Sequence, residues 1–115
     1  MNRAAAISIA LLCACAIAGC DSQEGPAHPL NPQEQRGELV FRANCAVCHF
    51  PYSNKSRGGP GLKAVFRKQY LPSGAPANDE RVRSAIEQGR ANMPSFKNVL
   101  TDEQMADLMA YLHAL

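Results

Sequence analysis

Met105, Leu108, Met109, Leu112 and Leu115 recur at the three- and four-residue spacing of a single helical face. Asp102, Glu103 and Asp107 fall between them and are expected to face water. Thr101 is placed to cap this helix and Gln104 to complete a capping box, with Leu100 and Met105 as a hydrophobic staple. A second helix is signalled at Asn31, a good N-cap followed by Pro32 at the first helical position and Glu34 three residues after the cap. It should run to about residue 44, with Gly37, Val40, Phe41 and Asn44 sharing a face. A glycine inside a helix costs up to about 1 kcal/mol against alanine. The usual compensation is close approach of another element, so a second helix is expected to cross near Gly37. Asn78 caps a further helix, Asp79 and Glu80 suit its positive end, Val82, Ala85 and Ile86 form its apolar stripe, and Gly89 can close it. Residues 62–70, "LKAVFRKQY", admit a short helix with Leu62, Val65 and Phe66 on one side.

The stretches between these segments, "SNKSRGGPG" at 53–61, "LPSGAPA" at 71–77 and "RANMPSF" at 90–96, are loops by composition. Met93 precedes Pro94 and is pushed toward an extended backbone. No strand pattern and no internal repeat is evident. The expected class is all-α, with several short helices joined by long irregular connections.

Two N-terminal segments are of different material. "MNR" carries one positive charge, and "AAAISIALLCACAIAGC" then runs uncharged to Cys20, the pattern of an export signal. It is slightly short for the ~20 apolar residues of a membrane span. "IAGC" at 17–20 resembles the lipobox of bacterial lipoproteins, which implies cleavage before Cys20 and a lipid on its thiol. Asp21 is similar to an inner-membrane retention signal. Residues 21–31, "DSQEGPAHPLN", read as a flexible tether containing a solvated His28. The organisation expected is therefore a lipoprotein-type signal over 1–19, a lipidated cysteine and tether over 20–31, and one folded domain over 32–115. The alternative is a plain cleavage site and a soluble periplasmic protein.

With 115 residues and seven aromatic side chains, none of them Trp, the core is small, and small domains are marginal. A large apolar cofactor would ease that. The net charge of +2 offers no broad basic field for nucleic acid. Of five cysteines, Cys13 and Cys15 lie in the signal and Cys20 at its end, so only Cys45 and Cys48 belong to the domain. No disulfide framework is available beyond a link between those two.

Those two cysteines stand in "CAVCH", residues 45–49. Three chemistries compete for it. Dithiol exchange uses C-x-x-C at a helix start in a βαβ setting, which this chain does not offer. A closed zinc site wants four ligands, and outside the motif only His28 and His113 are available. Covalent haem needs two sulfurs spaced for the two vinyl groups of a porphyrin and a histidine held under the iron, which is the C-x-x-C-H signature. Haem fits best.

The chain here resembles the class I, monohaem cytochromes c, over residues 32–115. "GELVF" at 37–41 is similar to the glycine and aromatic residue of the family's first helix, "CAVCH" to its haem site and "GGPGL" at 58–62 to its proline loop. "AIEQGRANMPSF" at 85–96 is similar to the stretch bearing the sixth ligand, and "LMAYLHAL" at 108–115 to the last helix. The resemblance implies the cytochrome c fold, with first and last helices crossing so that Gly37 and Phe41 meet Leu108 and Tyr111. It implies thioethers at Cys45 and Cys48, His49 as proximal iron ligand, the Pro60 carbonyl on the other nitrogen of that ring, and Met93 as distal ligand. Met105 and Met109 are explained by core packing, Phe96 by a place in the haem wall, and Tyr111 and His113 by packing and surface.

With both axial positions filled, the iron can exchange an electron but has no open site for a substrate. The expectation is a one-electron carrier, not an enzyme, monomeric, and tethered on the periplasmic side of a bacterial inner membrane. Redox proteins would be its partners: a quinol-oxidising complex or dehydrogenase as donor, a terminal oxidase or reductase as acceptor. Lys55, Arg57, Lys63, Arg67, Lys68, Arg90 and Lys97 cluster between the haem motif and the methionine loop, where they could steer an acidic partner or simply be solvated. A labile sixth ligand would instead suit a haem-based sensor or small-ligand binder. A fixed subunit of a larger membrane oxidoreductase is a further alternative.

Overall fold

The computed structural model describes residues 24–115. The export signal, Cys20 and Asp21 lie outside the described residues. Among the described residues three α-helices are formed, α1 (Pro32–Asn44), α2 (Asp79–Gln88) and α3 (Asp102–His113), with a single 3₁₀ turn at Val65–Arg67. Among the described residues there is no strand, only two isolated bridges, Tyr70 with Pro76 and Arg90 with Met93. The architecture is the all-α class expected.

Local chemistry sets the helix ends. At α1 the Glu34 amide donates to Asn31 Oδ1 at 3.0 Å, and the Asn31 amide donates to Glu34 Oε2 at 2.8 Å. At α3 the same reciprocal pair joins Thr101 and Gln104, at 3.1 and 2.9 Å. The Arg81 amide donates to the Asn78 side chain at the start of α2. Each cap satisfies amides that the first helical turn leaves without partners. Gly89 ends α2 with φ 72°, in a region side chains rarely adopt.

α1 and α3 cross. A Cβ at Gly37 would overlap the Asp107 carbonyl, so the two backbones meet at a distance only glycine allows. Beside that point Phe41 and Tyr111 pack at 5.4 Å between ring centroids with planes tilted by 57°, a favourable aromatic geometry. Phe41, Leu108 and Tyr111 are each 1% exposed and form the centre of the core. Val82 and Ile86 of α2, Val65 of the 3₁₀ turn, and Met105, Met109, Leu112 and Leu115 complete it.

Asp107 departs from expectation. It is 4% exposed, not water-facing, and accepts two bonds from Arg36: Nε to Oδ2 at 2.8 Å and Nη2 to Oδ1 at 3.1 Å. The fork-to-fork pair straps α1 to α3 next to Gly37, and the guanidinium holds the carboxyl below the usual carboxylate range. The stretch 62–70 gives only the three-residue turn. Ala64 is left-handed at φ 53°, and its amide donates to the Leu115 carbonyl instead of closing a helical turn. A third difference is at residues 24–31, read as a free tether. The Ala27 amide donates to Ala114 O at 2.8 Å, Gln35 Nε2 donates to Leu30 O, and Leu30 packs against the core. His28 is not merely solvated: its Nε2 lies 3.0 Å from both carboxylate oxygens of Glu34. Among the described residues no helix is long and apolar enough to cross a membrane.

Candidate cofactor site

"CAVCH" follows directly on α1. The Cys45 and Ala46 amides both donate to Phe41 O, and the Cys48 and His49 amides both donate to Cys45 O, at 3.0 and 2.9 Å. The helix thus continues into a tight turn that carries all three candidate side chains. Both thiols are free and half-buried. Burial pushes the Cys45 thiol up to about 11. A disulfide-exchange nucleophile needs the opposite shift.

The loop 57–62 lies over this turn. The Gly59 amide donates to Cys48 O at 2.8 Å and the Leu62 amide to Phe50 O at 2.9 Å. A Cβ on Gly58 would sit 2.9 Å from Cys48 Sγ, and one on Gly59 would overlap the His49 ring. The loop therefore reaches the motif only because two glycines leave room. That approach brings the Pro60 carbonyl to 2.8 Å from His49 Nδ1. A carbonyl oxygen only accepts, so Nδ1 carries the proton and Nε2 keeps its lone pair for a metal.

Arg57 adds a contact with no sequence signal. Its guanidinium lies 4.2 Å above the Phe50 ring centroid, and Nη1 donates to Ala46 O at 3.0 Å. One side chain thus grips the motif on both sides of His49. Tyr52 is the other unforeseen residue: its hydroxyl meets that of Tyr111 at 3.0 Å and links the motif's exit to α3. Burial, then that bond, drives the Tyr111 phenol's pKa upward. Both contacts join residues with no periodic relation in sequence.

Met93 sits in a loop fastened to the end of α2. Arg90 and Met93 exchange backbone bonds of 2.8 and 3.1 Å, with Ala91 left-handed at φ 48°. The Phe96 amide donates to Ile86 O and the Lys97 amide to Glu87 O. A Cβ on Gly89 would stand 2.5 Å from Met93 O. Met93 and Phe96 are partly buried against the core cluster. Of the seven clustered basic residues, four have partners: Arg57 as above, Lys63 on Glu24, Arg67 on Leu115 O and Lys68 on Asn54.

The zinc alternative finds no support. Among the described residues no three His, Cys, Asp or Glu side chains converge as a metal cluster. His28 faces Glu34, and His113 bonds Asp79 at 2.8 Å while stacking on Phe66 at 3.8 Å. What remains is a pair of unpaired thiols, with that of Cys45 pushed up by burial, next to a histidine whose outer nitrogen keeps its lone pair. That donor set fits covalent haem.

Comparison with known proteins agrees. The family described as "Cytochrome C oxidase, cbb3-type, subunit III" matches residues 32–112. The chain is 38% identical over 78 residues to the cytochrome bc1 complex cytochrome c subunit of Mycobacterium tuberculosis, covering 67% of this chain but only 25% of that protein's length. It is 31% identical over 77 residues to cytochrome c6 of Tetradesmus obliquus, covering 67% of this chain and 84% of the relative. Among solved structures, cytochrome c6 of the diatom Phaeodactylum tricornutum aligns with a TM-score of 0.54 at 33% identity, over 70% of this chain and 91% of that one. The capped helices, the glycine-pinned crossing and the haem-type donor set thus converge with the sequence matches, and the chain belongs to the class I, monohaem cytochrome c family, with one covalently bound haem c.

Proposed function

We propose that this domain is a one-electron carrier whose haem iron is held between His49 and Met93, with thioethers at Cys45 and Cys48. The observation that carries the reading is the 2.8 Å bond from His49 Nδ1 to the Pro60 carbonyl, which leaves the Nε2 lone pair available to a metal. Bound haem supplies the Fe(III)/Fe(II) couple, and a thioether ligand favours the ferrous side. The chain's own residues hold that couple steady. Pro60 fixes the tautomer of the proximal ring, Gly58 and Gly59 admit the loop that carries it, and the bonds from Phe96 and Lys97 to α2 hold the Met93 loop in place. Two retained ligands on fastened loops keep reorganisation small between oxidation states, as a carrier requires.

The reading extends to the cell. Cys20 would be acylated after export, anchoring the domain on the periplasmic face of a bacterial inner membrane. A quinol-oxidising complex or dehydrogenase would donate electrons, and a terminal oxidase or reductase would accept them. The expectation of redox partners draws support from relatives named as a cytochrome bc1 complex cytochrome c subunit and as cytochrome c6.

The test is the absorption spectrum of the matured protein, ferric and then ferrous under CO. A red-region sulfur-to-iron band with no CO shift is the expected result. A missing band and ready CO binding would replace Met93 ligation with an open sixth site, and the carrier with a sensor or ligand binder.

A further inference from the structure

The acylation site proposed at Cys20 and the docked segment after it set a geometric limit. Residues 24–30 lie along the C-terminal end of α3. Lys63 pairs with Glu24, Ala27 bonds Ala114, and Leu30 packs on the core. Ala64 and Arg67 both bond Leu115 at the same place. The chain therefore leaves the domain beside the 3₁₀ turn and the end of α3, not at Asn31.

Only four residue steps separate Cys20 from Glu24, a reach of at most about 14 Å. A domain of this size has a radius of gyration near 12 Å and so a diameter of about 30 Å. A leash of half that diameter cannot let the domain roll over. If 24–30 were free instead, eleven steps from Cys20 to Asn31 would span roughly 40 Å and permit any orientation.

We propose that the face formed by the 3₁₀ turn and the C-terminal end of α3 is a membrane-contact surface, held against phospholipid headgroups by the short leash. This rests on the acylation of Cys20. The chemistry of the face suits the partner. Arg67 bonds the Leu115 backbone oxygen, while Lys68, whose partner is the neutral Asn54 Oδ1, keeps its charge for headgroup phosphates. Lys63 is matched by Glu24, and His113 by Asp79. The opposite end of α3, about 18 Å away along its 12 residues, receives the loop from Met93 through Leu100. That loop is turned from the lipid and left open to redox partners.

The experiment uses the full acylated holoprotein in vesicles of phosphatidylcholine and phosphatidylglycerol. A photo-crosslinking aromatic amino acid replaces either His113 or Val99, exposed residues near the two ends of α3. Flotation is scored first, then lipid adducts. Several-fold more lipid adduct at position 113 than at 99 is expected, with the ratio collapsing toward one when a flexible insert of about twelve Gly/Ser residues follows Ser22. Ala27→Pro, which removes the amide bonded to Ala114, should weaken the bias in the same direction. Failure to float overturns the acylation reading and this inference together. Flotation with equal adducts at both ends, or a bias that survives the insert, overturns the inference alone.

Discussion

The helix crossing and the cofactor loops are built by different means. At the crossing, Gly37 meets the Asp107 carbonyl, Phe41, Leu108 and Tyr111 are sealed from water, and Arg36 straps the pair. Its stability comes from burial and close packing within the polypeptide. At the proposed cofactor site, Cys45, Cys48, His49, Met93 and Phe96 are only partly buried, and the loops are held by backbone bonds, two close-lying glycines and Arg57. The lesson is a division of labour. The crossing fixes the frame, and under the proposed ligation the loops would present donors to a group that completes their burial.

The largest expected effect is at the frame. Phe41→Ala should cost about 3–5 kcal/mol, read as a fall in denaturant midpoint, while the red-region band persists at low denaturant. Loss of the band under native conditions would break the separation of frame from site. Next comes Gly59→Ala, whose Cβ strikes the His49 ring. Overpacking of this kind costs about 1–3 kcal/mol, and the ligand-field spectrum should change with it. An unchanged spectrum would mean that the proximal loop has slack the glycine geometry denies.

Tyr111→Phe probes the seam between the regions, since it removes the hydroxyl bonded to Tyr52. A loss of about 1 kcal/mol is expected, and Tyr52→Phe should add little on top in a double-mutant cycle. Acid sharpens the account of the frame. Backbone bonding to Asn31 lowers the Glu34 pKa, and the bonds from Arg36 lower that of Asp107. Carboxyls with depressed folded-state values stabilise above the unfolded-state range and lose that contribution as pH falls through the folded values. Melting temperature should hold from pH 7 to 5 and drop below about pH 4, and Asp107→Asn should flatten the drop. The smallest effect belongs to Val47, 74% exposed inside the motif. Val47→Ala should stay within about 0.5 kcal/mol and leave the spectrum unaltered, which separates the motif's ligands from its spacers.

Much of this molecule was decided within a few residues of chain. Capping boxes at Asn31 and Thr101, the proline at the start of α1 and the apolar stripes placed all three helices, because those signals act over one helical turn. Gly37 announced a close crossing, and "CAVCH" is legible as a haem-attachment motif because attachment to two vinyl groups would demand that local spacing. Other features had no local trace. Asp107 reads as a water-facing acid until Arg36, 71 residues away, pairs with it. Residues 24–31 read as a tether until Ala114 and Lys63 supply partners. Residues 62–70 admit a short helix until Leu115 takes the Ala64 amide. In each case a polar group found its partner far along the chain, and only folding the two segments together could decide whether it would be buried, docked or left in water.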